Sequence, residues 1–268
     1  MLNNSLGTRM KLYESVLGKI QLPVKSFTLI RVDGKSFHTY TKHLKIPFDK
    51  DFHKAMDETA IELCKQMSGS LGAYVQSDEI SILLSNSKQK KTEAMYNNNL
   101  QKLVSISASV ATAAFNKCRI TQDPARCNEK LAHFDSRAFT IPLASEVDSY
   151  FIWRQDDAMR NAISSIARSR FSHKELECKT SAERIKLIEE SGDSLSNYDP
   201  GNLQGRIVVQ ESVLKEVSFT RNGISEVEKI QIARSIWTSK AAPRFRDSRP
   251  QYLFDFSQNI QEVSDGSK

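Results

Sequence analysis

These 268 residues are 39% apolar and 26% charged, the composition of an ordinary soluble globular chain with ample core for one large domain or two small ones. Lys and Arg number 38 against 32 Asp and Glu, a formal charge of +6 that suits a nucleic-acid or nucleotide partner without requiring one. No secretory leader pattern opens the chain, and no apolar run approaches the ~20 residues of a membrane span. The cysteines (Cys64, Cys118, Cys127, Cys178) show no CxxC spacing, so the expectation is a cytoplasmic chain with free thiols, no structural zinc and no membrane contact.

Residues 1–22, with the charged run Arg9–Glu14, read as a helical lead-in. Phe27–Asp33 then alternates: Phe27, Leu29, Arg31 and Asp33 share one face, and Thr28, Ile30 and Val32 the other, which is a β-strand pattern. Gly34 follows and lets the backbone turn tightly beside Asp33. After Pro47-Phe48-Asp49, residues Asp51–Met67 place Phe52, Ala55, Met56, Ala60, Leu63, Cys64 and Met67 at helical spacing, and Gly69 and Gly72 end that helix. Tyr74–Leu84 reads as two short strands folded around Gln76–Glu79, which puts Asp78 at a turn. Lys88–Lys117 predicts a longer helix with a buried second half, its opening Lys88, Lys90 and Lys91 forming a solvated end. His133–Pro142 predicts another strand. The order strand, helix, hairpin, helix, strand implies an α+β fold: an antiparallel sheet with helices on one face, related to ferredoxin-like folds.

The second half is more helical. Asp148–Arg170 carries a stripe of Ile152, Met159, Ile163 and Ile166. Thr180–Glu183 is a capping-box pattern opening a helix that runs to Glu190 and stops at Gly192. Ile207–Val209 predicts a strand after Gly205, and residues 211–268 mix short apolar runs with a basic cluster, Lys240, Arg244, Arg246 and Arg249.

The chemistry gathers on the two strand-end acids. Asp33 and Asp78 meet if their strands are neighbours. Carboxylate, carbonyl and phosphate oxygens are what Mg²⁺ prefers, and two such ions about 4 Å apart serve in-line attack on phosphorus. The plainer reading, two solvated turn residues, stays open at this level.

Arg31-Val32-Asp33-Gly34-Lys35-Ser36-Phe37-His38, Pro47-Phe48-Asp49 and Tyr74-Val75-Gln76-Ser77-Asp78-Glu79 together resemble the signature of the tRNA(His) guanylyltransferase family. That family includes related tRNA-repair polymerases that add nucleotides in the 3′ to 5′ direction. His133–Pro142 and Trp153-Arg154-Gln155-Asp157 are similar to further segments of it, and Asn197-Tyr198 with Gly205–Val209 is a weaker echo, so the resemblance spans roughly residues 7–210.

The resemblance implies a polymerase-like palm over residues 1–145 using two Mg²⁺ ions, with residues 146–268 an extension for RNA binding and oligomer contacts. Asp33 and Asp78 would be the catalytic metal ligands, joined by the Gly34 carbonyl. Gly34, Lys35, Ser36, Phe37 and His38 would wrap a triphosphate with backbone N–H groups, helped by Ser77. Arg31, Lys45, Lys102, Arg137 and Arg154 are candidate phosphate or RNA contacts, an ordinary surface or ion-pair role being the competing reading for each. Glu79 points to the other side of its strand from Asp78, which leaves a structural role open. The implied partners are tRNA, GTP and other nucleoside triphosphates, ATP for activation, and further copies in a homotetramer.

The implied chemistry activates a 5′-monophosphate with a nucleoside triphosphate and then joins the 3′-hydroxyl of an incoming nucleotide to that end. Guanylyltransferases proper carry His-Ile-Asn-Asn-Leu-Tyr after the Trp-Arg-Gln element. Here that place reads Met159-Arg160-Asn161-Ala162-Ile163-Ser164, and only Asn161 agrees. The departure favours templated repair of 5′-truncated tRNA over untemplated addition of one G. A nucleotidyl cyclase and a non-catalytic RNA-binding module are the other classes left open by the sequence.

Overall fold

A computed structural model describes residues 5–85, 94–128, 130–220 and 227–255. In chain order, helix α1 (Leu6–Gly18) precedes strand β1 (Phe27–Gly34), the single turn α2 (Phe37–Tyr40) and a 3-10 turn at Thr41–His43. Helix α3 (Lys50–Gln66) begins at Asp49, whose carboxylate accepts the Phe52 N–H at 2.8 Å, the ordinary device for satisfying a helix's first donors. Strands β2 (Ser70–Gln76) and β3 (Glu79–Ser85) form a hairpin across Ser77-Asp78. Helix α4 (Leu100–Gln122), β4 (Phe134–Ile141), the long α5 (Ala144–Arg168), the turn α6 (His173–Leu176), α7 (Ser181–Glu190) and the turn α8 (Pro200–Leu203) follow. Strands β5 (Arg206–Thr220) and β6 (Val227–Ala241) and the turn α9 (Pro250–Leu253) complete the described chain. Within it, no helix is long and apolar enough to cross a membrane.

The six strands form one antiparallel sheet in the order β4-β1-β3-β2-β5-β6. Strict alternation along β1 divides its side chains between two cores. Ile30 and Val32 join Val75, Ile82, Val208 and the buried faces of α3 and α4. Phe27 and Leu29 join Tyr74, Leu83, Ile207 and, from α5, Val147 and Phe151, with Phe245 and Phe254 closing that side. The two helices within residues 27–142, α3 and α4, cover one face of the sheet as the element order implied, and the other face is covered from the second half of the chain. The reason is legible in β1 itself: Phe27 and Leu29 are apolar on the Asp33 face and need a cover, which α5 supplies from the second half of the chain. A third cluster seats α7 against the end of α5 through Ile163, Ile166 and Ile188.

Two expectations change. The helix expected from Lys88 starts at Leu100, because Asn99 caps it by accepting the Lys102 N–H at 2.9 Å. Just before it, Tyr96, Asn97 and Asn98 take left-handed backbone angles, which asparagine tolerates better than most residues, so the run is a turn and not helix. Lys88, Lys90 and Lys91 lie outside the described residues. The strand expected at Ile207–Val209 is the root of a far longer β5, paired with β6 along its whole length and with β2 only through Arg206–Val208. The Thr180–Glu183 capping box forms as its sequence dictates and opens α7.

Candidate active site

The register of the sheet brings the two acids together. Asp33 stands opposite Glu79 across the β1–β3 pair, and the Gly34 N–H donates to the Asp78 carbonyl at 3.2 Å. Ser77, in the left-handed region at φ 47°, turns the hairpin so that Asp78 faces the end of β1, and its hydroxyl donates to Asp78 Oδ1 at 3.0 Å. Burial raises the pKa of Asp78 above the usual carboxylate range, and the charge of Asp33 raises it further. Asp33 is raised as well, by burial and then by Asp135, its partner on β4, while Arg31 and Arg137 pull the other way.

Two half-buried carboxylates that repel one another suit a hard divalent cation. Among the described residues no three His, Cys, Asp or Glu side chains gather into an all-protein metal cage. A cation at Asp33 and Asp78 would thus complete its shell with backbone carbonyl, water or phosphate oxygens, which is the habit of Mg²⁺.

Beside the acids, the turn after β1 is tightly built. A Cβ on Gly34 would fall 2.3 Å from the Phe37 ring, so only glycine lets Phe37 fold back under it. Phe37 then packs among Tyr40, Phe52, Phe115 and Phe134 with ring centroids 5.0–6.1 Å away, so its side chain belongs to the core. Of the expected phosphate cradle, the Gly34 and Lys35 N–H groups are already spent on the Asp78 and His133 carbonyls. The first N–H groups of α2, at Ser36–His38, have no acceptor within the helix and remain for a ligand. Lys35, Ser36 and His38 are exposed.

On the other side of Ser77 lies a cavity of about 210 Å³ between the loop before α3, the end of β2, α5 and the segment leading into β5. Its walls include Phe48, His53, Gln76, Asn161 and Arg206. Burial pushes the His53 imidazole down to about 4, with the Arg206 guanidinium second, so the ring is neutral near pH 7. Arg206 is itself pinned to Asp57, and its Nη2 and the Gln76 Oε1 are buried without a hydrogen-bond partner. A slot of mixed lining, with the Phe48 and His53 rings and unpaired polar atoms at its wall, is chemically suited to a planar base.

The structure sorts the remaining candidates. Arg31 and Arg137 face each other across β1–β4 on the Asp33 side of the sheet. Lys45 lines the cavity. Lys102 is not brought to the acids: α4 meets β4 at Ser107–Ser136 and Thr112–Phe134, so the start of the helix lies toward the Phe27–Ile141 end of the sheet. Arg154, expected as an RNA contact, is instead buried, bonded to Glu79 at 2.9 Å and Asp157 at 3.0 Å. That also defines Glu79, whose carboxylate serves the ion pair between β3 and α5. Sequence reasoning missed Asp135, although strand alternation from Arg137 puts it on the Asp33 face. It missed His53 and Arg206 too, because their meeting depends on how α3 and β5 pack.

An antiparallel sheet flanked by helices, with two acids meeting at its strand ends, has the architecture of a nucleotidyltransferase palm. The family model described as tRNAHis guanylyltransferase matches residues 7–142, and the chain belongs to that family. A bacterial tRNA(His) guanylyltransferase-like protein solved in complex with ATP superposes with a TM-score of 0.80 at 36% identity, over 94% of this chain and 98% of that one. A bacterial relative of the same description, in complex with GTP, gives 0.72 at 34% identity, over 94% and 99%. The tRNA(His) guanylyltransferase of Debaryomyces hansenii is 26% identical over 214 residues, 74% of this chain and 77% of its own.

Proposed function

We propose that this enzyme is a template-directed 3′–5′ nucleotidyltransferase that restores the 5′ end of a truncated tRNA, with Asp33 and Asp78 as its catalytic acids. The meeting of those two carboxylates at the ends of β1 and the β2–β3 hairpin carries the reading. Asp33, Asp78 and the Gly34 carbonyl would hold Mg²⁺, as two ions, which would supply charge neutralisation at the triphosphate and a lowered pKa for the attacking hydroxyl. The opening turn of α2 holds phosphate oxygens, the cavity beside Ser77 takes the base, and Arg31 and Arg137 offer guanidinium groups to the RNA end.

In the first stage a 5′-monophosphate displaces pyrophosphate from ATP or GTP. In the second, the 3′-hydroxyl of the incoming nucleotide attacks the activated phosphate and releases the nucleoside monophosphate. Repair is favoured over single G addition by α5, where Met159–Ser164 keeps only Asn161 of the guanylyltransferase segment. Residues 146–268 extend the proposal to RNA and subunit contacts in a homotetramer.

The test is label transfer onto a tRNA lacking its first 5′ nucleotide, with Mg²⁺ and each nucleoside triphosphate supplied separately. Incorporation only of the nucleotide complementary to the opposing base supports repair; addition of G whatever the opposing base overturns it. Asp78→Ala should abolish incorporation while the circular dichroism spectrum stays folded. Near wild-type transfer by that variant would remove the metal assignment.

A further inference from the structure

Trp153 is unlike the other large apolar residues of α5. Tyr150 and Phe151 turn into the core, whereas the Trp153 indole is 50% exposed. It is nonetheless held in place. Its ring meets Tyr150 edge-on with centroids 5.9 Å apart, and the Arg154 guanidinium carbon lies 3.8 Å from its centroid. Both supports are fixed in turn: the Tyr150 hydroxyl bonds Ser81 at 2.8 Å, and Arg154 is clamped by Glu79 and Asp157. Ser81 stands opposite Arg31 on β1, which stands opposite Arg137 on β4. Glu79, one turn of the clamp away, stands opposite Asp33.

A rigid indole, backed by a guanidinium and open to solvent, is linked through Arg154 and Glu79 to the position opposite Asp33, and through Tyr150 and Ser81 to the position opposite Arg31, itself paired in register with Arg137. We infer that Trp153 is a stacking platform for an unpaired nucleobase at the RNA end presented to Asp33 and Asp78. Single-stranded bases are bound by laying their faces on fixed aromatic rings, and arginines beside the ring attract the adjoining phosphates. Arg31 and Arg137 supply that charge complementarity, which selects RNA over an apolar protein face as the occupant. The rigidity matters because no side-chain entropy is lost when the base arrives. This inference rests on the reading that the enzyme acts on RNA.

The chain has two tryptophans, Trp153 and Trp237, so a Trp237→Phe variant leaves Trp153 as the sole indole reporter. Titration with 5′-truncated tRNA should quench its fluorescence to saturation, while GTP alone should not. Trp153→Ala should raise KM for the RNA about 5- to 100-fold, the worth of one stacked base, with KM for nucleotide unchanged, and Trp153→Phe should recover most of the loss. An unchanged KM for RNA in Trp153→Ala overturns the platform, as does a fluorescence change that follows protein concentration without RNA, which would mark a contact between copies. The titration needs no turnover. A chain that quenches with RNA but incorporates nothing refutes the proposed reaction and keeps the platform; one that incorporates without quenching refutes the platform alone.

Discussion

Replacing Arg154 with methionine separates the two roles this residue has been given. Its side chain is 7% exposed and that of Glu79 8%, at 2.9 Å, so the variant leaves a carboxylate buried without its cation. Breaking a buried pair from one side costs about 3–5 kcal/mol, a large share of the roughly 5–15 kcal/mol that holds a domain folded. Burial already holds the Glu79 carboxyl above its ordinary range, and Arg154 is the chief influence lowering it. Without Arg154 the folded-state value rises further above the unfolded one. The folded variant then binds more protons than the unfolded chain above the unfolded carboxyl value, so its stability falls as pH rises through that window. Urea unfolding at pH 5 and pH 8 should show a loss that is larger at pH 8, and Glu79→Gln added to Arg154→Met should recover most of it. A single variant that unfolds at the wild-type urea concentration at both pH values, yet binds RNA more weakly, would refute the structural role and restore Arg154 as an RNA contact.

His53 gives a second pH signature. Its imidazole is held down to about 4 in the fold against 6.5 unfolded, so between those values the unfolded chain binds the extra proton. Its contribution is complete above pH 6.5 and is lost as pH falls to about 4, roughly 3 kcal/mol in all; the difference between wild type and His53→Gln in urea unfolding should vanish as slope if this is wrong. Gly205→Ala meets two obstacles, a backbone at φ +78° and a Cβ 2.5 Å from the Tyr74 hydroxyl, itself fixed to the Gln204 carbonyl at 2.7 Å. The variant should lose roughly 2–4 kcal/mol in thermal unfolding, and an unchanged melting temperature would refute the close packing there.

Local patterns in the sequence carried the fold as far as local physics determines it. Alternation in Phe27–Asp33, helical spacing in Asp51–Met67 and the Thr180–Glu183 box each became the element they implied. The acids were legible because a carboxylate at a strand end followed by glycine is a local signal. What escaped depends on partners distant in sequence. The exposed-looking Arg154 is buried because α5 lies across β3, and nothing within Trp153–Asp157 announces Glu79. The His53 environment requires Arg206, which arrives from the other end of the chain. The stripe expected along α5 holds in its second half, where Ile163 and Ile166 are buried, and is displaced in the first for the same reason: Val147, Phe151 and Ala158 face the sheet, while Ile152 and Met159 are only half-buried.

The placement of β2 has a consequence for synthesis. Ala73, Tyr74 and Val75 are buried on both faces of the sheet, and their free edge is covered only by Arg206–Val208 of β5. Arg206 comes 65 residues after Ile141, where β4 ends (206 minus 141). At about 5–20 residues per second, a ribosome leaves the four-stranded half-sheet with a bare apolar edge for several seconds. During that interval β2 is a template for pairing with any neighbouring nascent chain. Yield of folded enzyme should therefore be governed by chaperone capture and by expression rate, more than by the stability of the finished protein.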